Sequence, residues 1–155
     1  MARILKPPAP LDFGPDERSV FLAGSIDMGE AEPWQAEMER ALAGEDVVLL
    51  NPRRDEWDAS WQQTIHDPTF REQVEWELSG QEQATLIAMH FAPASQAPIT
   101  LLELGLFARS GKLIVSCPQG FWRRGNVEVV CDRYRVPLVE SLPALLGHVR
   151  RILLA

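Results

Sequence analysis

Four apolar runs, each long enough only for a short strand, constrain this chain more than anything else: residues 19–25, 46–52, 84–91 and 112–118. None alternates polar with apolar positions, as a strand with one wet face would. A strand that is apolar throughout must be covered on both sides, which is the condition of a parallel sheet between helices. The intervening segments supply those helices. Residues 34–42 carry Trp34, Met38, Ala41 and Leu42 at helical spacing, with Gly44 beyond as a stop. Residues 70–83 set Phe70, Val74, Glu77, Leu78 and Gln81 along one stripe. Further helices are expected after the third run, ending at Gly111, then at 126–132 and 141–154, with a short edge strand at 136–139. Residues 1–18, rich in Pro and polar groups, read as an extended arm ahead of a single domain over 19–155.

Charge and composition narrow the function. The net charge of −7 and pI near 5.0 argue against a broad nucleic-acid surface, which needs clustered Lys and Arg. Apolar residues at 46 % and charged residues at 24 % suit an ordinary globular chain, with no apolar run of membrane-spanning length. Residues 1–10 hold no signal-peptide core, so a cytoplasmic protein is expected. Cys117 and Cys131 are too few for a disulfide framework or a four-cysteine zinc site and read as buried free thiols. Neither a P-loop nor a dinucleotide fingerprint occurs, and neither metal nor organic cofactor is expected.

In a parallel sheet, ligands bind beyond the carboxyl ends of the strands. Gly24 and Ser25 stand at the first such end: Gly24 admits close backbone approach, and Ser25 offers a hydroxyl and an N–H to an anion. A plain tight turn accounts for the pair equally well. Asn51, Arg53 and Arg54 follow the second run, and Arg123 and Arg124 follow the fourth. An Arg fork at either place would hold a phosphate or carboxylate, although Arg doublets also form surface ion pairs. Trp57, Trp61, Phe121 and Trp122 flank these loops and could stack on a flat ring, while Trp76 reads equally as core.

Two carboxylates break the apolar pattern. Glu103 is the one charge in the helix that follows Thr100, and a Glu among apolar neighbours is costly to bury. Glu77 shares the inward stripe with Phe70 and Val74, unlike Glu72, Glu75 and Glu82. Two inward carboxylates at one pocket rim are the usual apparatus for cleaving a glycosidic bond. The structural alternatives are an outward-pointing Glu103 and a Glu77 paired with an Arg.

These residues resemble the nucleoside 2-deoxyribosyltransferase superfamily, best in its nucleoside 2-deoxyribosyltransferase-like branch. The resemblance runs over residues 19–140. It is carried by Phe21-Leu22-Ala23-Gly24-Ser25-Ile26, Asn51-Pro52-Arg53-Arg54, Val74-Glu75-Trp76-Glu77-Leu78, Ile99-Thr100-Leu101-Leu102-Glu103-Leu104-Gly105 and Phe121-Trp122-Arg123-Arg124-Gly125-Asn126-Val127. It implies a flavodoxin-like or Rossmann-like three-layer sandwich on a five-stranded parallel sheet. It further implies a glutamate nucleophile at Glu103 and a second carboxylate at Glu77. Gly24, Ser25, Asn51, Arg53, Thr100, Arg123 and Asn126 become substrate-binding positions, with Asn126 reaching a neighbouring subunit's site in a homodimer or larger homo-oligomer. The expected substrate is a small nucleoside or nucleotide, and the expected reaction is cleavage or transfer at its N-glycosidic bond. A nucleotide-binding or sensor module without catalysis is the alternative. The chain departs from the family pattern at Phe21, where a Tyr is common, and at Ala97, where an Asp is common.

Overall fold

The apolar runs pair side by side in one parallel sheet. A computed structural model describes residues 1–25, 33–55 and 60–155; Ile26 and Trp57, singled out in the sequence, lie outside the described residues. The strands are β1 (Arg3–Leu5), β2 (Ser19–Gly24), β3 (Val48–Leu50), β4 (Leu86–His90), β5 (Leu113–Ser116) and β6 (Leu138–Val139). Between and after them come α1 (Trp34–Leu42), α2 (Pro68–Gln83), α3 (Pro98–Phe107), α4 (Arg124–Tyr134) and α5 (Leu142–Leu153). The sheet has six strands in the order β1-β3-β2-β4-β5-β6, every neighbouring pair parallel.

One strand more than expected is present. Residues 3–5 of the segment read as an extended arm form β1, which pairs along β3 from Arg3–Val48 to Leu5–Leu50. Three residues are too few to carry a strand pattern, and β1 exists because β3 would otherwise offer an open edge. The arm is fastened again where the Trp76 indole donates to the Ala9 carbonyl at 2.8 Å, which places Trp76 in the core. The remaining five strands follow the flavodoxin-like order.

Both faces of the sheet are covered, as uniformly apolar strands require. One apolar layer joins Phe21, Leu50, Ile87, Met89 and Val115 to Trp76 of α2, Leu104 and Phe107 of α3, and Val127 and Cys131 of α4. The other joins Val20, Leu22, Leu49, Ala88 and Ile114 to Trp34, Met38 and Leu42 of α1 and to Leu145, Val149 and Leu153 of α5. Cys117 and Cys131 are buried and free. Among the described residues no helix is long and apolar enough to cross a membrane.

The helix starts obey local chemistry. Asp67 caps α2, its Oδ1 accepting from the Thr69 and Phe70 amides at 3.0 and 3.2 Å, with Pro68 in the first turn. The Ser141 hydroxyl caps α5 by accepting from the Ala144 amide at 3.2 Å. Connections run from β2 through α1 to β3 on one side, then through α2 back across to β4 on the other. The topological switch therefore lies between β2 and β4. There, a side chain at Gly24 would meet the His90 carbonyl oxygen at 2.3 Å and the Trp34 ring at 2.6 Å, so only glycine fits.

Helix α2 is pressed equally hard onto β2. A Cβ on Gly80 would stand 2.9 Å from the fully buried Phe21 ring. Alanine gains about 1 kcal/mol over glycine from helix propensity alone, and overpacking of this kind costs about 1–3 kcal/mol. Gly80→Ala is expected to be destabilising on balance, seen as a lower urea midpoint at unchanged slope. A midpoint at or above the parent's would contradict the tight α2–β2 contact.

Candidate active site

The carboxyl ends of β2, β3 and β4 open onto a cavity of about 430 Å³ at the switch point. Its polar side is made by Gly24 and Ser25 after β2, Arg53 and Arg54 after β3, Gln73 and Glu77 of α2, and Thr100 and Glu103 of α3. Its apolar side is Phe70 and Val74 of α2 with Pro98, Ile99 and Leu102 of α3. Six of the nine expected site residues thus meet around one space: Gly24, Ser25, Arg53, Glu77, Thr100 and Glu103. A cavity lined by both polar and apolar side chains suits a ligand of the same mixed character.

Glu103 is 6 % exposed and has no cationic partner within ion-pair distance among the described residues. It faces inward, against the outward alternative. Its Oε2 accepts from the Gln81 amide Nε2 at 2.5 Å. Glu77 is half-buried, and its Oε2 accepts from Gln73 Nε2 at 3.2 Å. That same nitrogen donates to the Pro52 carbonyl at 3.0 Å, while the Gln73 Oε1 accepts from Arg54 Nη1 at 3.2 Å. Arg54 lies 4.8 Å from the Trp61 ring centre. Glu77 is therefore linked to Arg54 through an amide and is not in direct ion-pair contact with it.

Burial governs how the two carboxyls titrate. Loss of solvent pushes Glu103 up to about 7, opposed by the Gln81 hydrogen bond. Glu77 rises to about 8, through loss of solvent first and the neighbouring Glu103 charge second, with Gln73 opposing. Both carboxyls are thus displaced toward neutral pH, and as close neighbours they titrate as a coupled pair.

Ser25 is more committed than its sequence suggested. Its N–H donates to the His90 carbonyl at 3.2 Å, so the backbone donor expected for an anion is spent on closing the sheet. Its hydroxyl oxygen accepts from the Ala92 amide at 3.1 Å and its carbonyl accepts from the Trp34 indole at 3.2 Å. His90, at the end of β4, is buried beside Ser116 Oγ at 3.2 Å and against the Trp34 ring. Ahead of α3, Ala97 adopts left-handed backbone (φ 47°, ψ 53°) and offers no side-chain cap. The first turn of α3 lines the cavity uncapped.

Three expected residues lie elsewhere. Asn51 is buried behind the cavity: its Oδ1 accepts from the Arg53 amide at 2.9 Å and its Nδ2 donates to Glu39 at 3.1 Å, which shapes the loop presenting Arg53. Arg123 and Asn126 line a separate, shallower depression between α3 and α4 with Leu101, Leu104, Gly105 and Val127. Arg124 is structural, donating to the Cys117 carbonyl and to Glu140 at 3.1 Å. Phe121 is core, its ring tilted against that of Phe91 with centres 4.8 Å apart, and the Trp122 indole donates to the Gln96 carbonyl at 3.0 Å; neither lines the cavity. Gln73 and Gln81 are what sequence reasoning missed as site residues. The available signal was an amide on the inward stripe of α2. Among the described residues no three His, Cys, Asp or Glu side chains cluster as a metal site would need.

A family model described as nucleoside 2-deoxyribosyltransferase like matches residues 17–121. The match spans β2 to β5 and every residue of the cavity, and stops short of Arg123 and Asn126. No curated protein matches the chain.

The carboxyl pair makes stability depend on pH with a definite sign. Both groups bind protons more tightly when folded than at their ordinary value of 4.5, so the folded state keeps protons that the unfolded chain has lost. Stability is then highest at acidic pH and falls as pH rises from about 4.5 through 7 to 8. Glu103→Gln is expected to flatten this decline and to stabilise the protein at pH 8.5 by on the order of 2 kcal/mol. Urea titrations at pH 5 and pH 8.5 check it; an equal gain at both values would show that the charge is not the cause.

Proposed function

The chain belongs to the nucleoside 2-deoxyribosyltransferase-like family, and from that membership we propose that it cleaves or transfers the N-glycosidic bond of a nucleoside or its 5′-monophosphate. The observation that carries the reading is the carboxyl pair itself: Glu77 and Glu103, the latter buried with no cationic partner among the described residues, line one cavity, and burial raises the titration of both. Two acidic groups with displaced titrations divide naturally into nucleophile and acid.

The ionised Glu103 attacks C1′ as the bond from C1′ to the base nitrogen breaks, forming a glycosyl ester on the enzyme. The electron pair of the broken bond leaves with the base, and Glu77 delivers its proton to that base. Water or a second base then attacks C1′ and releases Glu103, with Glu77 as the proton acceptor. The apolar lining residues Phe70, Val74, Ile99 and Leu102 offer surface to the flat base. Arg53 and Arg54 with the uncapped start of α3 favour an anionic 5′ group. Asn126 and Arg123 line another depression, so a part for them in catalysis calls for a second copy of the chain.

Glu103→Gln is expected to abolish release of free base from a panel of nucleosides and 5′-monophosphates, read by chromatography, while the protein stays folded. Intact-mass analysis of the parent during turnover should show an added glycosyl group that Glu103→Gln lacks. Glu77→Gln should slow base release by about 10²–10⁴-fold and remove the alkaline limb of the pH profile. Base release at the parent rate by Glu103→Gln would overturn the proposal, and tight binding without release by the parent would favour the sensor module. If Asn126 acts across a dimer, mixing inactive Glu103→Gln with inactive Asn126→Ala should restore part of the activity; no recovery would confine the site to one chain.

A further inference from the structure

We propose that Gln81 is a positioning residue that presents a fixed hydrogen-bond donor to Glu103 and thereby selects Glu103, of the two carboxyls, as the one that ionises first. This deepens the reading above and rests on Glu103 being the nucleophile. The argument begins with burial. Gln81 is completely buried and does not line the cavity, so it reaches the substrate only through another side chain. It is also the one hydrogen-bond donor to Glu103 among the described residues.

The orientation of the amide is set by its surroundings. Nε2 has two hydrogens and two acceptors: Glu103 Oε2 at 2.5 Å and the Glu77 carbonyl, one turn back on α2, at 3.2 Å. Turning the amide over would set Oε1 against that carbonyl, oxygen against oxygen, whatever the protonation of Glu103. The donor end is therefore locked toward Glu103. The Oε1 atom has no hydrogen-bond partner among the described residues. A buried carbonyl oxygen left unpaired is unfavourable, and an apolar side chain would fill the same space without that cost. The amide is explained by what its nitrogen does.

A fixed donor stabilises the charged form of its acceptor. The charged groups facing Glu103 are Glu77 from α2 and Arg53 and Arg54 from the loop after β3. No titratable side chain of β2 lines the cavity, and His90 at the end of β4 lies against Ser116 and Trp34. Glu77 receives a donor of another kind: the Gln73 nitrogen is shared with the Pro52 carbonyl and stands at 3.2 Å. The shorter, locked contact belongs to Glu103.

Nuclear magnetic resonance of the intact protein tests this without reference to turnover. The Gln81 side-chain amide protons should shift with pH at the midpoint of the Glu103 carboxyl carbon, and that movement should vanish in Glu103→Gln. In Gln81→Met, which keeps length and volume without the donor, the Glu103 midpoint should rise by about one pH unit, a tenfold smaller ionised fraction below it. The rising limb of kcat against pH should move up with it, so that activity lost at pH 6.5 returns at higher pH with KM nearly unchanged. A Gln81→Met protein that is folded, with Glu103 titrating as in the parent, overturns the proposal. So does a parent Gln81 amide that ignores the Glu103 titration, which settles the matter even if Gln81→Met does not fold. Expected titrations in a protein that releases no base would instead leave Gln81's role standing and remove the glycosidic reading.

Discussion

Two carboxyl groups line one cavity with no cation bonded to either among the described residues, and the architecture of the site follows from keeping them there. In water, neighbouring carboxylates repel weakly; in a partly buried cavity the same repulsion and the lost solvation act together. Acidic side chains tolerate such a place only by sharing protons or by receiving donors. Here the donors are the amides of Gln73 and Gln81, which are neutral and do not cancel the charge. An Arg in their place would hold both carboxylates permanently ionised. Amides leave them titratable near neutral pH, which is the property an acid and a nucleophile need in common.

The fold supplies rigidity where this arrangement needs it. Helix α2 brings Gln73, Glu77, Gly80 and Gln81 to one face within about two turns, and Gly80 lets that face lie directly on Phe21 of β2. Glu103 arrives from α3, which leaves the sheet at β4, the strand paired to β2 on the other side of the switch. Glycine at position 24 allows these two strand ends to close. A displaced α2 would carry Glu77 and Gln81 with it and separate both from Glu103. The carboxyl pair therefore depends on close packing at two glycines, Gly24 and Gly80, neither of which touches substrate space through a side chain.

Much of this was legible because hydrophobic periodicity records burial directly. The runs leading to β2, β3, β4 and β5 and the stripe of α2 stand out for that reason, and a carboxylate such as Glu103 or Glu77 stands out against it. What escaped depends on pairing. β1 carries too few residues for a pattern and is a strand only beside β3. The Ser25 N–H looked available until the register with β4 used it. Asn51 carries the polarity of a binding residue, yet both ends of its amide are taken by Arg53 and Glu39. Gln81 escaped for the opposite reason: the inward stripe of α2 marks it as buried, and only the approach of α3 shows which partner it meets. Arg123 was grouped with the site because it follows a strand, and Asn126 because the resemblance places it at a neighbouring subunit's site; β5 lies one strand beyond the switch, and both line the depression beside α4.

The proposed ionisation order also bears on which ligands the cavity accepts. Arg53, Arg54, Glu77 and Glu103 are its charged lining residues. With one proton on the pair, two guanidinium groups face a single carboxylate, and the cavity carries a net positive charge that attracts an anionic substituent. Once Glu77 loses its proton the charges balance and that attraction fades. The protonation state in which Glu77 can serve as an acid is therefore the state in which the cavity best holds an anion. In the proposed reaction, proton delivery and anion binding are therefore coupled through one site, and the donor proposed for Gln81 supports both.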